Sequence, residues 1–357
     1  MSYGFSTCVC PPIQQALNNI VGTNATSLRR DRVGMIEYLR SPENLSGAEI
    51  IQIDPGNGKR KTVTVNYYQK MCESSVNESI TDDCSTGTET VPYCEDVTIT
   101  NELETTNQVF DQDNMRRICE PLGATDEAWI ARIMMAQMNA LLTSLDKLVI
   151  TQVMAAFGTF MDGSTIKPVQ LFNTVATDAQ GPRALALSLI QDEFDQAGFN
   201  GVPSLIGANK LNRFYSALDI GAVNAAGLDL SKLGGATNFF YDRFVEPILG
   251  VDEFIVMALS VAQLLTWNKY RGNYAVSSPT FEHGTVVDPF TGIMFDLKMH
   301  YNDCTDMFYI KLQLNWEFWS TPDDQDASCI DQYGVNGIYN YEVCDTVNEC
   351  ASGHSVS

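Results

Sequence analysis

The sequence is short of positive charge and has no long apolar run. Its 357 residues include 22 lysines and arginines against 44 aspartates and glutamates, a formal net charge of −22 at pH 7. The negative electrostatic field of such a protein repels phosphate backbones, so we do not expect a dedicated nucleic-acid-binding protein. No stretch of eighteen uncharged apolar residues occurs, and residues 1–15 lack the basic and hydrophobic regions of a signal peptide. We therefore expect a protein with no membrane partner that is made in a cytoplasm.

Residues that serve catalysis or metal binding are also scarce. The three histidines, His283, His300 and His354, form no helix-borne pair and lie beside no cysteine cluster of zinc spacing. No Gly-x-Ser-x-Gly, CxxC or HExxH motif occurs. Residues 56–60 imitate the end of a phosphate-binding loop, but Arg60 stands where Ser or Thr is needed. The sequence predicts no enzyme, with no catalytic residue, no cofactor-binding residue and no metal ligand.

Apolar residues are present in ordinary measure, and the acids are unevenly spread. Apolar residues make up 45% of the chain and charged residues 18%, which is typical of a globular protein with a sizeable core. Residues 1–61 carry seven basic residues against five acids, whereas residues 71–120 carry twelve acids against two arginines. Residues 320–357 carry seven acids and no lysine or arginine. The acidic excess therefore lies in two segments.

The ten cysteines lie mostly in polar, turn-rich sequence, so core packing does not explain them. Three interpretations stay open: disulfides formed in an oxidising medium, free thiols, or zinc ligands. Clustering within the two acidic segments favours local disulfides, whose connectivity is not readable from sequence. The sequons that begin at Asn24, Asn44 and Asn77 are attributed to chance. The candidate disulfide or cross-link residues are Cys8, Cys10, Cys72, Cys84, Cys94, Cys119, Cys329, Cys344 and Cys350.

The first third of the chain predicts an arm followed by a projecting hairpin. Residues 1–40 have one weak amphipathic stretch, so we expect an arm that lies on something else and frays alone. Residues 71–93 form a polar, acidic insert that does not bury itself. The region 50–100 is therefore predicted to be a long projection that touches a partner. Period-2 alternation and turn residues predict its strands at 50–53, 62–68 and 96–100.

The strongest helical pattern runs from Thr125, a plausible N-cap, to Phe157. Such a helix is roughly 50 Å long, which implies a flat or elongated subunit. Arg132, Asp146 and Lys147 interrupt it and argue against a membrane span. Its predicted apolar face consists of Met134, Met138, Leu141, Leu145 and Leu148.

The rest of the chain predicts an α/β region and then a long hairpin. Helices are predicted at 182–198, 209–218 and 260–265, and strands at 203–207, 254–259 and 266–270. Clear alternation at 293–301 and 308–318 predicts a long antiparallel hairpin whose apolar face packs on the long helix. The other face should meet water or a polar neighbour, and it carries Asp296, Lys298, His300, Lys311, Gln313, Asn315 and Glu317.

This order of parts resembles the major capsid protein of tailed bacteriophages, which has the Hong Kong 97-type fold. The resemblance covers about residues 1–319, and the texture of 244–256 and 264–269 is similar to that family's axial domain. It implies an α+β fold with an N-terminal arm (1–45), an extended loop (46–122), a peripheral domain with a spine helix (123–200) and return strands (281–321), and an inserted axial α/β domain (201–280). Residues 322–357 are then an additional acidic, cysteine-containing extension, in which residues 334–339 predict a turn leading into a short strand.

The resemblance also implies a function and partners. The chain is expected to self-assemble as hexamers and pentamers of an icosahedral virion capsid, made in the host bacterial cytoplasm. Packaged double-stranded DNA would lie non-specifically against the inner wall, and portal, scaffold or decoration proteins would be further partners. No lysine lies between residues 71 and 115, so the lysine cross-link of the type member is not expected. The alternatives are an encapsulin-like nanocompartment shell and a disulfide-stapled extracellular binding module.

Overall fold

A computed structural model of the chain describes residues 10–24, 30–45, 49–51, 62–66, 94–111, 126–160, 163–172, 185–199, 201–224, 238–270, 276–277, 281–302, 304–305, 307–321 and 336–344. The helices are α1 (Cys10–Asn24), α2 (Gly34–Leu39), α3 (Pro42–Leu45), α4 (Asp126–Ala155), α5 (Leu185–Gln196), α6 (Asn209–Asn224) and α7 (Val245–Ile248). The strands are β1 (Glu49–Ile51), β2 (Thr62–Asn66), β3 (Cys94–Thr98), β4 (Asn101–Glu104), β5 (Gln108–Asp111), β6 (Ile166–Val169), β7 (Ser204–Gly207), β8 (Asn238–Tyr241), β9 (Glu253–Met257), β10 (Ala262–Trp267), β11 (Val276–Ser277), β12 (Phe281–Val287), β13 (Met294–Asn302), β14 (Met307–Ser320) and β15 (Ile338–Val343). The chain is therefore a mixed α and β protein, as predicted.

The largest sheet is built around β14, whose 14 residues extend for about 48 Å. Its strand order is β10-β14-β13-β12-β11, and β4 and β5 also pair with β14. β13 and β14 form the predicted long hairpin, in the register Tyr301 opposite Phe308 and Leu297 opposite Leu312. Period-2 alternation along these strands places Phe295, Leu297 and Leu312 on one buried face.

The helix α4 confirms the predicted long helix and packs its buried side chains in one cluster with that sheet face. Met134, Met138 and Leu145 are buried as predicted, but Leu148 is 43% exposed and Val149 is buried in its place. The prediction for Leu148 is wrong because an α-helix drifts by about 20° per heptad from a strict seven-residue repeat. By length and composition alone, residues 128–155 would suit a membrane span, yet half of that apolar window is buried within the fold.

The N-terminal segment is part of the body of the molecule. Ile13, Leu17 and Ile20 of α1 are buried in the same cluster as α4. The Gln14 side chain accepts a hydrogen bond from the Val287 backbone N–H (2.8 Å) and donates one to the Val287 carbonyl (3.0 Å). The expectation that residues 1–40 form a fraying arm is therefore wrong for 10–24 and 30–40, because the side chains of α1 close over this chain's own helix.

The short helix α2 is the most deeply buried part of this segment. Met35, Ile36, Tyr38 and Leu39 have no measurable exposure, and the Tyr38 hydroxyl donates to the Ala258 carbonyl at 2.7 Å. Gly34 opens the helix against β8, where a Cβ would lie 2.5 Å from the Tyr241 carbonyl oxygen. Only glycine permits that approach.

The second large sheet has five strands in the order β6-β15-β9-β7-β8. β15 lies between β6, to which it is parallel, and β9, to which it is antiparallel. Residues 322–357 were expected to be an added extension containing a short strand. The strand is confirmed, but the placement is wrong, because Ile338, Tyr341 and Val343 are buried inside this sheet.

One predicted helix is a strand. Residues 260–265 were predicted to be helical, whereas β10 pairs antiparallel with residues 315–320 of β14. A short apolar run fits a helix or a strand equally well, and the open edge of β14 decides between them. The predicted axial segment 201–280 consequently contains strands of both large sheets, since β7 to β9 belong to one and β10 and β11 to the other.

Candidate assembly surfaces

Most of the cysteines singled out in the sequence lie outside the described residues, namely Cys8, Cys72, Cys84, Cys119, Cys329 and Cys350. Cys10 is the first residue of α1 and Cys94 the first of β3. Cys344 follows β15, is 8% exposed and is disulfide-bonded. Cys304, which the prediction left out, is an exposed free thiol in the turn between β13 and β14. The pairing of the other cysteines stays a prediction.

The solvent-facing side of α4 carries almost no charge. Its exposed side chains recur every three or four residues and are small or apolar: Ala136, Ala140, Ser144, Leu148, Thr151 and Ala155. Arg132 and Lys147 are the exposed charged residues between 128 and 155. A helix with an apolar surface on all sides is typical of a helix that is covered on all sides. We call these six residues the α4 outer face and treat them as a candidate contact surface.

The three-stranded sheet β1-β2-β3 forms the base of the predicted projection. Its strands are antiparallel, with Val63 opposite Val97 and Ile50 opposite Val65. The buried side chains beneath it form a cluster apart from the main core, which we call the small cluster: Val63, Val65, Ile99, Leu265 and Trp319. The Trp319 indole also donates a hydrogen bond to the Glu95 carboxylate at 3.0 Å. The base of the projection is thus fastened to β10 and to the last residues of β14.

The outer face of the large sheet collects basic and aromatic side chains. The antiparallel register places Phe281 opposite His300 and His300 opposite Tyr309, and the His300 and Tyr309 rings stack at 5.0 Å. Lys298 lies between His283 and Lys311 in the next row. Burial, together with the charges of Lys298 and Lys269, lowers the pKa of His283. Two lysines and two histidines therefore lie together on this face, and Lys311 forms an ion pair with Glu104 at 2.7 Å.

Two side chains of this face, Asp296 and Asn315, meet polar neighbours instead of water, which the prediction allowed. Asp296 is 1% exposed, and its carboxylate accepts hydrogen bonds from the backbone N–H groups of Lys269 (2.9 Å) and Tyr270 (3.2 Å). Burial raises the pKa of Asp296, although these hydrogen bonds oppose the shift. Asn315 is 8% exposed and donates to the Trp267 carbonyl. Both side chains hold the chain after β10 against the sheet.

No catalytic or metal-binding arrangement was found in the part of the chain that the structure describes. No group of three or more His, Cys, Asp or Glu side chains there lies close enough to hold a metal ion. A small recess beside β15 is lined by Phe160 and Tyr339, and its polar groups already satisfy one another. Lys167 forms an ion pair with Glu193, which also accepts a hydrogen bond from the Tyr341 hydroxyl at 2.9 Å. Asn44, which begins a sequon, is fully buried and hydrogen-bonded to the Ala262 carbonyl.

Sequence reasoning missed three features of these surfaces. It placed Asp146 as an interruption of an apolar helix, whereas that carboxyl is buried at the junction of α2, α4 and β8. It gave no role to Trp319, and none to β15 in the second sheet. Asp146 was the detectable signal, because a lone acid on the buried side of an apolar helix requires a partner.

No protein-family model matches the chain, and no curated protein matches it in sequence. Solved structures do match. The capsid asymmetric unit of cyanophage A-1(L) is 8% identical with a TM-score of 0.48, over 90% of this chain and 95% of that one. A structure from Mycobacterium phage Adephagia is 12% identical with a TM-score of 0.44, over 90% and 93%. The capsid of Ralstonia phage GP4 is 10% identical with a TM-score of 0.40, over 88% and 92%. The chain is thus similar to solved phage structures, two of which are described as capsids.

Proposed function

We propose that this chain is the major capsid protein of a tailed phage, which assembles with copies of itself into the icosahedral shell around the genomic DNA. The α4 outer face is the observation that carries the proposal. Residues 136–155 expose six small or apolar side chains along about 30 Å of helix, with Lys147 as the exposed charged residue among them, and this chain's described residues leave that face open. An apolar helix face of this length is unfavourable when it is exposed to water, and contact with another molecule removes that cost.

The base of the projection supports the same proposal. The three-stranded sheet rests on five buried side chains, whereas the rest of the described chain shares one continuous core. A small hydrophobic contact of this kind opens readily on its own. Contacts with a neighbouring copy would hold the projection in place and join folding to assembly.

The finer assignment follows the Hong Kong 97-type arrangement. In it, residues 123–200 with α4 and residues 281–321 would form the peripheral domain. Residues 201–280 with β7 to β9 and α6 would form the axial domain, although β10 and β11 pair into the sheet around β14. Of the predicted extended loop (46–122), residues 46–98 would lie over a neighbour, whereas β4 and β5 pair with β14 in this chain's own sheet. The copies would be arranged as hexamers and pentamers of the virion, with portal, scaffold or decoration proteins as further partners. The chain would be made in the host bacterial cytoplasm and would act without catalysis, cofactor or metal.

Packaged double-stranded DNA would lie against the inner wall of this shell without specific contacts. The chain carries a net charge of −22, and a field of that sign keeps a phosphate polymer mobile beside it. The shell would then enclose the genome without binding it tightly.

The test is assembly of the full chain expressed alone, followed by sedimentation velocity and negative-stain microscopy. Shells, capsomers or tubes are expected for the unchanged chain. Ala140→Arg places a charge in the middle of the α4 outer face and should leave a folded protein that no longer assembles. Asn212→Arg adds the same side chain at an exposed polar position of α6 and serves as the matched control.

Circular dichroism and thermal melting of both variants separate folding from assembly. A well-behaved monomer at every concentration of the unchanged chain would overturn the proposal. Assembly of Ala140→Arg to the same extent as Asn212→Arg would show that the α4 outer face is not the contact.

A further inference from the structure

Two buried carboxyl groups meet at the start of α2. Asp146 comes from the middle of α4 and Asp242 from the residue after β8, and both are fully buried. The Met35 N–H donates to Asp242 Oδ2 at 3.0 Å, and the Ile36 N–H donates to Asp146 Oδ1 at 3.2 Å. Val33, at the N-cap position, makes no side-chain hydrogen bond to the helix. Two neighbouring N–H groups of α2 are therefore satisfied by carboxyls from two different parts of the fold.

The hydrogen bonds of the pair indicate where a proton must lie. Both oxygens of Asp242 accept backbone hydrogen bonds, since Oδ1 receives the Phe244 N–H at 2.8 Å. Asp146 Oδ2 is buried and receives no donor from the described residues. The Asp242 carboxyl accepts the neighbouring N–H of the same short helix, which places the two buried carboxyl groups side by side at the start of α2. Two carboxylates in such contact are not stable as a doubly charged buried pair, whereas one shared proton makes the contact favourable.

We propose that Asp146 is protonated on Oδ2 and donates a hydrogen bond to Asp242. This hydrogen bond joins α4, α2 and the sheet around β15, and it is lost when the proton is lost at high pH. Loss of the proton in alkaline solution leaves two negative charges facing each other at the start of α2. The repulsion separates α4 from β8 at the place where both hold the start of α2. The proposal concerns the isolated chain and does not depend on its assembly.

The electrostatic surroundings favour the protonated form. Burial, and then the nearby Asp242 charge, raise the pKa of Asp146 well above its usual range. No lysine or arginine among the described residues hydrogen-bonds to either carboxyl. Arg30 is engaged by Asp288 at 3.0 Å and Arg243 by Asp31 at 2.9 Å. The other charged groups around the pair are Glu37 on α2, Arg32 before it and Lys147 on α4.

The sign of the pH effect follows from the direction of the pKa shift. A group whose pKa is raised on folding stabilises the protein fully below its unfolded pKa, and the contribution is lost as the pH rises through the folded pKa. For one proton, the folding equilibrium constant falls by about tenfold per pH unit within that window. The window opens at the ordinary pKa of an aspartate and extends upward.

Asp146→Asn is the decisive variant because asparagine reproduces the protonated carboxyl. Its oxygen accepts the Ile36 N–H, and its amide donates to Asp242 without titrating. Urea unfolding of the unassembled chain between pH 5 and 9 should give a ratio of wild-type to Asp146→Asn folding constants that falls by about tenfold per pH unit up to the raised pKa. A ratio that is constant over this range overturns the proposal.

Two further variants distinguish the effect of this proton from a general loss of stability. Asp242→Asn should destabilise the chain at every pH, because an amide nitrogen would face one of the two N–H donors. Asp288→Asn removes another buried carboxylate, which is paired with Arg30, and should leave the alkaline fall unchanged. If Asp242→Asn were tolerated and Asp146→Asn were damaging, the proton would be on the other carboxyl and the assignment would be wrong.

Hydrogen exchange locates the effect. At pH 9, amides of residues 34–39 should exchange faster in the wild type than in Asp146→Asn, and at pH 5 the two should match. Amides of β13 should not differ between the two proteins at either pH. Equal exchange of residues 34–39 at both pH values would overturn the proposal.

Discussion

The main core and the small cluster bury the same kinds of side chain, but they differ in how many helices and strands contribute to them. The main core receives buried residues from α1 at one end of the chain and from β15 at the other. The small cluster consists of five buried residues, which come from β2, β10, β14 and the position after β3. A core supplied by both ends of the chain unfolds as one unit, whereas a five-residue contact can open locally. We therefore expect the main core to determine whether the chain folds, and the small cluster to determine whether the sheet β1-β2-β3 stays attached to it.

The largest effect is expected from removing the last strand of the main core. A chain that ends at Thr321 lacks β15, so β6 and β9 lose their partner and the burial of Ile338, Tyr341 and Val343 is lost. Each such side chain contributes about 2–5 kcal/mol, and the sum is comparable with a whole domain's stability of about 5–15 kcal/mol. We expect no cooperative urea transition by circular dichroism.

Deletion of residues 351–357 is the matched control, because it shortens the same end and keeps β15. This variant should unfold with the midpoint of the full chain. A cooperative transition in the chain that ends at Thr321 would mean that β15 is dispensable and that the second sheet folds without the strand that joins β6 to β9.

A smaller loss is expected where α2 meets β8. Gly34→Ala places a methyl group 2.5 Å from the Tyr241 carbonyl oxygen and 2.7 Å from its carbon. Both are backbone atoms, so relief requires movement of β8, and we expect a loss of about 3 kcal/mol in the free energy of unfolding. Gly22→Ala in α1 is the control, because nothing lies within 4 Å of its Cβ position. The control should be neutral or stabilised by up to about 1 kcal/mol.

The smallest effect on global stability is expected in the small cluster. Trp319→Ala should reduce the free energy of unfolding by about 1 kcal/mol, because the sheet β1-β2-β3 can separate while the main core stays folded. Phe295→Ala in the main core is the reference and should cost about 3–5 kcal/mol. Hydrogen exchange in Trp319→Ala should increase in β2 and not in β13. Equal losses for the two variants would mean that the clusters form one cooperative unit.

The parts of the fold that local pattern determines were predictable from the sequence. α4 follows from apolar spacing of three and four residues, and the hairpin of β13 and β14 follows from strict alternation on both sides of a polar turn. β9, β7 and α6 lie where short apolar runs placed them. In each case, the signal lies within one element and needs no knowledge of its partner.

The remainder depends on contacts between distant residues. β10 is a strand because it pairs with β14, which follows it by about fifty residues in the sequence. β15 likewise forms between β6 and β9, both of which are distant from it in sequence. α1 appears weakly amphipathic on its own, and its burial becomes evident only against α4. Val63 and Trp319, which define the candidate projection base, are far apart in sequence, so no local pattern could have linked them.

Sedimentation velocity of the full chain beside Trp319→Ala, at matched concentrations, tests most directly the claim that one cluster serves folding and the other serves assembly. We predict large assemblies for the unchanged chain and a folded monomer for Trp319→Ala, with unaltered exchange in β13. Assembly of Trp319→Ala to the same size and extent as the unchanged chain would contradict the claim.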